Sequence, residues 1–280
     1  MLKEVLYLGP KGSFSEFALN NFEQILGKDI KKTPLDSIYK IVRTLKTSNN
    51  DSLCAVIPIE NSIEGIVRDT QDNLNDLSLL GYRIYAETQF AVVHSLVGFG
   101  TKADIKTISS HPQALAQCRE YIYNIWGDDI SLNPTLSTSS AISSLKKENP
   151  NIAAIGNEYC AKLYNIPILE KEINDKKNNT TRFLLISKKE PTKSCCNKIC
   201  ITFSTENKPG ALNKILNILE KYKLNMSYID SRPSRRELGE YIFYVDFAGH
   251  IEDAGIAMAL VEIQQNVKML EILSKGAICV

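Results

Sequence analysis

Several things this sequence lacks narrow what it can be. It has no excess of one charge: 33 Lys and Arg face 32 Asp and Glu in 280 residues. A nucleic-acid binder would carry a basic stripe, so that class is set aside. No apolar run is long enough to span a bilayer. The opening residues, Met1-Leu2-Lys3-Glu4-Val5, enter a strand pattern directly and do not read as a leader. Histidine is scarce, and the seven cysteines are scattered, clustering only at Cys195, Cys196 and Cys200 with no histidine nearby. Such a set reads as reduced thiols of a cytoplasmic protein, with no metal site expected. No Ser-His-Asp triad or Gly-x-Ser-x-Gly elbow is present, and the N-terminal glycine loop lacks the Lys-[Ser/Thr] ending of a nucleotide P-loop.

What is present is a series of polar junctions between strands and helices. The length suits two or three domains. Val5 to Leu8 reads as a strand, Gly9-Pro10-Lys11-Gly12-Ser13-Phe14-Ser15 as a loop, and Glu16 to Leu26 as helix. The loop's amides and hydroxyls at a helix start could seat an anion; the plainer reading is a capped turn. Ser37 to Lys46 is helical. Cys54 to Ile59 is a buried strand ending at Glu60-Asn61-Ser62-Ile63-Glu64-Gly65, with a helix from about Ile66 through Leu74. Glu60 is a candidate acid or base, or simply a favourable partner for the helix dipole.

An extended run from Tyr82 to Gly98 has the length of a crossing between lobes. Gly98-Phe99-Gly100-Thr101-Lys102-Ala103 matches a dinucleotide fingerprint only nominally, because strand-like Ile105 to Ile108 follows where that motif needs a helix. Ser110 reads as the N-cap of a helix from about Ala114 to Tyr123, preceded by His111 and Pro112. His111 is either a catalytic base or a hydrogen-bonded structural residue. Leu136 to Ala141 puts four hydroxyls at another helix start. Asn178-Asn179-Thr180-Thr181-Arg182-Phe183 carries one fixed cation and leads into a buried strand. Arginine grips carboxylates with its planar fork. Alternating strands and helices imply mainly parallel sheets, whose ligands bind at the carboxyl ends of the strands. The density of hydroxyl and amide donors suits a small carboxylate-bearing ligand.

Residues 189–198 turn charged and read as a linker. Beyond them the order βαββαβ, within residues 199–280, is a ferredoxin-like unit with a short last strand. It offers few groups suited to catalysis and looks regulatory or structural.

Taken together, these motifs resemble prephenate dehydratase of the monofunctional bacterial type, with a C-terminal ACT domain. The resemblance rests on Tyr7–Ser15, Ile57–Gly65, Ser110–Cys118, Ser137–Ala141 and the Thr181-Arg182-Phe183 signature, in family order along the chain. Pro209-Gly210-Ala211-Leu212 and Ser231-Arg232-Pro233 are similar to the two phenylalanine-site motifs of the ACT domain. Asp230 stands where the family usually has Glu, and Asn213 where an apolar residue is common.

The resemblance implies an α/β catalytic domain over 1–188 with two lobes like a periplasmic binding protein. Lobe 1 would span about 1–80 and 165–188, and lobe 2 about 81–164. It implies conversion of prephenate to phenylpyruvate, water and carbon dioxide without a cofactor or metal, by a homodimer or homotetramer. Thr181 is implied as the essential hydroxyl, with Arg182 and Glu60 as further catalytic candidates. Gly12, Ser13, Asn61, Ser62, Ser110, His111, Gln117, Thr138, Ser139 and Phe183 are candidates for holding substrate. L-phenylalanine would bind through Asn207, Pro209, Gly210, Ala211, Leu212, Asn225, Asp230, Ser231, Arg232 and Pro233. The alternatives are an arogenate dehydratase and a non-catalytic amino-acid or carboxylate sensor.

Overall fold

The chain leaves its first lobe on one strand and returns on the neighbouring one, and that exchange shapes the molecule. The structure, a computed structural model, describes residues 2–194, 196–234 and 239–280; Cys195 of the cysteine trio lies outside them. The first lobe holds β1 (Glu4–Leu8), α1 (Phe14–Asn21), α2 (Glu23–Leu26), β2 (Lys31–Leu35), α3 (Ile38–Thr47), β3 (Leu53–Asn61), β4 (Gly65–Ile66), α4 (Arg68–Leu79) and β5 (Arg83–Ala91). The second holds β6 (Ser95–Gly98), β7 (Thr107–Ser110), α5 (Pro112–Gln117), α6 (Arg119–Trp126), β8 (Ser131–Pro134), α7 (Thr138–Ser143), β9 (Ile152–Gly156), α8 (Glu158–Leu163) and β10 (Ile168–Glu170). β11 (Thr180–Ser187) returns to the first lobe. The C-terminal unit is β12 (Asn197–Ser204), α9 (Ala211–Lys221), β13 (Met226–Pro233), β14 (Tyr241–Ala248), α10 (Ala254–Gln264) and β15 (Met269–Cys279).

Two sheets result. The larger runs β13-β14-β12-β15-β5-β11-β3-β1-β2, with β4 added on β3; the smaller runs β10-β6-β9-β7-β8. Both are mixed rather than mainly parallel. β1 is parallel to β2 and β3, but β11 is antiparallel to both β3 and β5 because the outgoing and returning strands lie side by side. The crossings sit later than the sequence pattern implies: β5 belongs to the first sheet and β10 to the second. They are tied to each other, with the Val92 N–H donating to the Asn179 carbonyl (2.7 Å) and the His94 N–H to Asn174 Oδ1 (2.6 Å).

The C-terminal unit is fused to the first lobe rather than hung from it. Its last strand is long, eleven residues, and its end pairs in parallel with β5 through Ile278↔Ala86 and Cys279↔Glu87. One face of its sheet is covered by α9 and α10, burying Ile201, Phe203, Ile215, Leu219, Phe247 and Ile263. The other face presses on the catalytic part. Cys200, Tyr244, Leu273 and Ala277 share one core with Leu74 and Leu77 of α4 and Ile41 and Leu45 of α3. α3 has the apolar spacing this requires, with Ile38, Ile41, Val42 and Leu45 on one stripe and Ser37 capping its start. At about 25 cal/mol per Å², a continuous apolar seam of this kind resists separation of the two parts.

Candidate active site

A cleft of about 450 Å³ opens between the lobes, within the size range of small-ligand sites. Leu8 and Asn61 bring to it the carboxyl ends of β1 and β3, and His111 the residue just past β7. β11 runs the other way, so its first residues reach the same rim: Thr181 pairs with Asn61. Three helix starts face the cleft, through Phe14 and Ser15 of α1, His111 and Gln113 of α5, and Ser137 and Thr138 of α7. Helix starts leave amide donors free and carry positive partial charge. No lysine or arginine lines the cleft among the described residues.

A hydrogen-bond chain crosses the cleft, and its directions can be worked out. Asn61 Oδ1 accepts from the Ile63 and Glu64 amides, both at 3.0 Å, which fixes the side-chain amide the other way round. Asn61 Nδ2 therefore donates to Asn179 Oδ1 (2.7 Å) and to Thr181 Oγ1 (2.9 Å). Asn179 Nδ2 then donates to Gln117 Oε1 (3.0 Å). That oxygen can only accept, so the His94 Nε2 in contact with it (3.0 Å) carries the proton. Burial pushes the His94 pKa down, the bond to Gln117 offsetting part of this, so the ring is neutral near pH 7. Gln117 Nε2 is left facing the cleft side, 3.4 Å from Glu64 Oε1. Thr181 is only 8 % exposed, and its oxygen accepts from Asn61. Its own proton therefore remains available for a ligand.

Asn61, His111, Gln117, Thr138, Thr181 and Phe183 all line the cleft. Phe183 stacks on Phe90 at 5.1 Å, forming an apolar floor. His111, not Ser110, caps α5: its Nδ1 accepts from the Gln113 amide (3.3 Å). In that tautomer Nε2 bears the proton, so the ring is a donor rather than a base.

Other candidates are placed elsewhere. Glu60 and Arg182 lie on the reverse side of the sheet, because side chains alternate along a strand and Thr181 takes the cleft face. Arg182 Nε and Nη2 bond to Glu87 Oε2 (2.9 and 2.5 Å), and Nη2 also bonds to Asp246 Oδ2 (2.6 Å) in the C-terminal unit. Glu60 is 3.9 Å from the same guanidinium and far from use as a proton donor in the cleft. The Gly12 amide is already engaged by Glu16 Oε2 (2.5 Å), and its carbonyl by Asn157 Nδ2 of the second lobe (3.0 Å). Ser13 caps α1 and donates to the Leu8 carbonyl. Ser62 pins the returning loop through the Asn178 carbonyl and the Thr180 amide. Ser110 is fully buried and bonds to the Ile155 carbonyl (2.6 Å). Ser139 is also buried, and its hydroxyl has no partner among the described residues.

Sequence reasoning missed His94, Asn179, Phe14, Ser15 and Ser137 in the cleft. The signal for His94 was its position at the end of an apolar strand. Asn179 sat inside the motif but could not be ranked above its neighbours.

In the C-terminal unit, Asn207, Ala211 and Leu212 line a hollow of about 150 Å³ with Tyr241 and Phe243. Gly210 caps α9 at φ +80°, and Pro209 and Asn225 are exposed. Ser231 pairs with Phe243 and Pro233 with Tyr241. Asp230 and Arg232 face the other way and bind α4: Gln71 Nε2 donates to Asp230 Oδ2 (2.8 Å), and Arg232 pairs with Asp72.

Comparison with known proteins agrees with this geometry. Residues 5–191 match the family model for prephenate dehydratase, and residues 201–264 that for the ACT domain. A prephenate dehydratase of Methanocaldococcus jannaschii is 39% identical over 98% of both chains. The prephenate dehydratase of Arthrobacter aurescens, solved in complex with L-Phe, superposes with TM-score 0.83 at 30% identity, covering 98% of this chain and 89% of that one. A quorum quenching acylase, GqqA, superposes with TM-score 0.83 at 25% identity, over 99% of this chain and 98% of that one. One fold thus hosts more than one chemistry, and the family is decided by sequence over the whole length: the chain belongs to the prephenate dehydratase family, with an ACT domain at its C-terminal end.

Proposed function

We infer that this chain converts prephenate to phenylpyruvate and that L-phenylalanine restrains it through the ACT domain. The observation that carries the reading is the Thr181 hydroxyl, held by Asn61 as an acceptor with its proton free at the cleft. Prephenate has a ring carboxylate and a ring hydroxyl, and losing both makes the ring aromatic. The bond to the carboxylate breaks and its electron pair enters the ring. The C–O bond then breaks toward oxygen, which takes up one proton and leaves as water; the carboxylate leaves as carbon dioxide.

The residues supply what this requires. Thr181 donates to the departing oxygen. A threonine is too weak an acid to give its proton up outright, and the neutral imidazole N–H of His111 is no stronger, so both act as hydrogen-bond donors and the proton that completes the departing water is drawn from solvent entering the open cleft. Neutral donors and helix starts, rather than a lysine or arginine, face the carboxylates. An ion pair would hold the leaving carboxylate in its ground state, whereas weak solvation favours its departure. Preorganised donors and positioning supply most of the acceleration.

L-phenylalanine would occupy the hollow beside Asn207, Ala211 and Leu212, with Gly210 and Ser231 shaping its approach. We place the protein in the cytoplasm, in keeping with free thiols at all six described cysteines, and read it as a dimer or tetramer. In support of an oligomer, β13 ends the large sheet and α10 exposes Met258 and Val261, at 54% and 60%. Light scattering on the purified chain tests this; a monomer at working concentration refutes it.

The deciding experiment is ultraviolet-monitored phenylpyruvate formation from prephenate, with arogenate as the competing substrate and phenylalanine added or omitted. Turnover of prephenate suppressed by phenylalanine is expected. Inert prephenate with active arogenate would make it an arogenate dehydratase. Binding without turnover of either would make it a sensor.

A further inference from the structure

Thr181 and Arg182 are consecutive on β11 but face opposite sides, one the cleft and the other the ACT domain. Arg182 does no work in the cleft. Its guanidinium instead joins β5, through Glu87, to β14 of the ACT domain, through Asp246. The cluster is buried, with 14% of the Arg182 side chain and 2% of that of Asp246 exposed. It balances: Lys198 of β12 also pairs with Glu87, giving two cations and two anions, with Glu60 at its margin. Burial works against the Arg182 charge, but Asp246 and Glu87 more than offset it and hold the pKa above its ordinary value. Burial raises and Arg182 and Lys198 lower the Glu87 pKa, with a net fall.

A buried ionic cluster is a poor glue but a strict geometric condition. Well-packed apolar residues would bind as well, whereas displacing one member leaves an uncompensated charge. A shift of β14 therefore either draws the Arg182 guanidinium with it or leaves its charge uncompensated, and Arg182 shares the β11 backbone that carries Thr181. β14 in turn pairs with β13, Asp246 lying opposite Tyr228 and Tyr244 opposite Asp230. The segment Asp230–Pro233 that is similar to the effector motif is thus one strand and two residues from Asp246.

We propose that the Arg182–Asp246 ion pair is the element through which effector occupancy of the ACT domain reaches Thr181, with Arg182 acting as a positioning residue. The proposal rests on the phenylalanine-restrained dehydratase reading. The competing route is α4, where Gln71 and Asp72 hold Asp230 and Arg232. Coupling between linked sites is ordinarily about 5–150-fold, and the two routes differ in which substitution abolishes it.

The test uses the full chain and three readouts: prephenate turnover against phenylalanine concentration, phenylalanine binding by calorimetry, and hydrogen exchange at the Thr180–Phe183 amides with and without phenylalanine. Asp246→Asn keeps the shape and removes the charge. It is expected to bind phenylalanine as the parent does, while the coupling factor falls toward 1 and the exchange response of β11 disappears. Asp246→Glu, which keeps the charge on a longer stem, is expected to retain part of the coupling and serves if the amide variant does not fold. A purely structural role would lower stability and leave coupling intact. Full inhibition in both variants overturns the proposal, as does coupling lost in Gln71→Ala or Asp72→Asn but kept in Asp246→Asn. A parent that turns over prephenate yet shows neither inhibition nor an exchange response to phenylalanine overturns the regulatory reading and this proposal together.

Discussion

Replacing Thr181 by valine isolates one hydroxyl. Valine has nearly the same shape, so the strand and the Phe183–Phe90 floor are undisturbed. Among the described residues the bond lost is the one Thr181 Oγ1 accepts from Asn61 (2.9 Å), and Asn61 Nδ2 keeps Asn179 Oδ1 at 2.7 Å. The folding cost is therefore that of one ordinary hydrogen bond, about 1 kcal/mol, or a fall in unfolding midpoint of about 2–4 °C for a chain of this size class. The catalytic cost is larger, because the missing donor acts where charge develops in a site shielded from water. Loss of one such donor ordinarily costs about 10²–10³ in kcat, or about 2.7–4 kcal/mol. KM should change little, since the ground-state hydroxyl of prephenate can find other donors. Thr181→Ser restores the hydroxyl without the methyl group and should recover most of the rate. Single-turnover formation of phenylpyruvate, followed in the ultraviolet, separates chemistry from product release. Turnover of the valine variant within an order of magnitude of the parent, with folding intact, would refute the role assigned to Thr181.

Three further outcomes follow from local geometry. His94 is buried with its pKa held below the ordinary 6.5. The unfolded chain therefore takes up a proton that the native chain resists, and stability is lost as pH falls below 6.5 toward the lower folded value. Urea midpoints measured across that window should slope in the parent and flatten in His94→Asn. Gly12 adopts φ +85°, and a Cβ there would lie 2.6 Å from Cys160 Sγ. Gly12→Ala should cost at least about 1–2 kcal/mol from the backbone alone and loosen the contact between lobes. Cys160→Ala should recover only part of that by calorimetric midpoint, since the backbone strain remains. Gly210 sits at φ +80° with open space where a Cβ would go, so Gly210→Val acts through backbone strain and should raise the phenylalanine concentration needed for half-inhibition.

The order of elements was readable because it depends on local pattern. Hydrophobic runs of four to six residues gave β1, β3 and β9, and helical spacing gave α3 and α9. Several motif residues also converge in space, since Asn61, Gln117, Thr138 and Thr181 all reach one cleft. What failed depends on relations across the chain. Gly12 looked like an anion seat because a glycine-rich loop before a helix usually has free amides, yet Glu16 turns back to fill its own loop. Ser110 looked like a cap because it precedes a proline helix start, but the next residue, His111, takes that place and Ser110 secures β7 to β9. The long last strand was underestimated because its final residues are stabilised by β5, a partner nearly two hundred positions earlier.

Arg182 is the instructive case. Its chemistry suits carboxylate binding, and its place beside Thr181 made that reading attractive. A strand decides otherwise, because consecutive residues point to opposite faces. Thr181 faces the cleft, Arg182 meets the ACT domain, and Phe183 returns to the cleft face. Three adjacent residues thus serve two opposite faces, a division that sequence proximity conceals and strand geometry requires. It follows that no change at Arg182 can be judged from the cleft alone. Its consequences should appear first in how the two domains are held together, and only then in the position of the Thr181 hydroxyl.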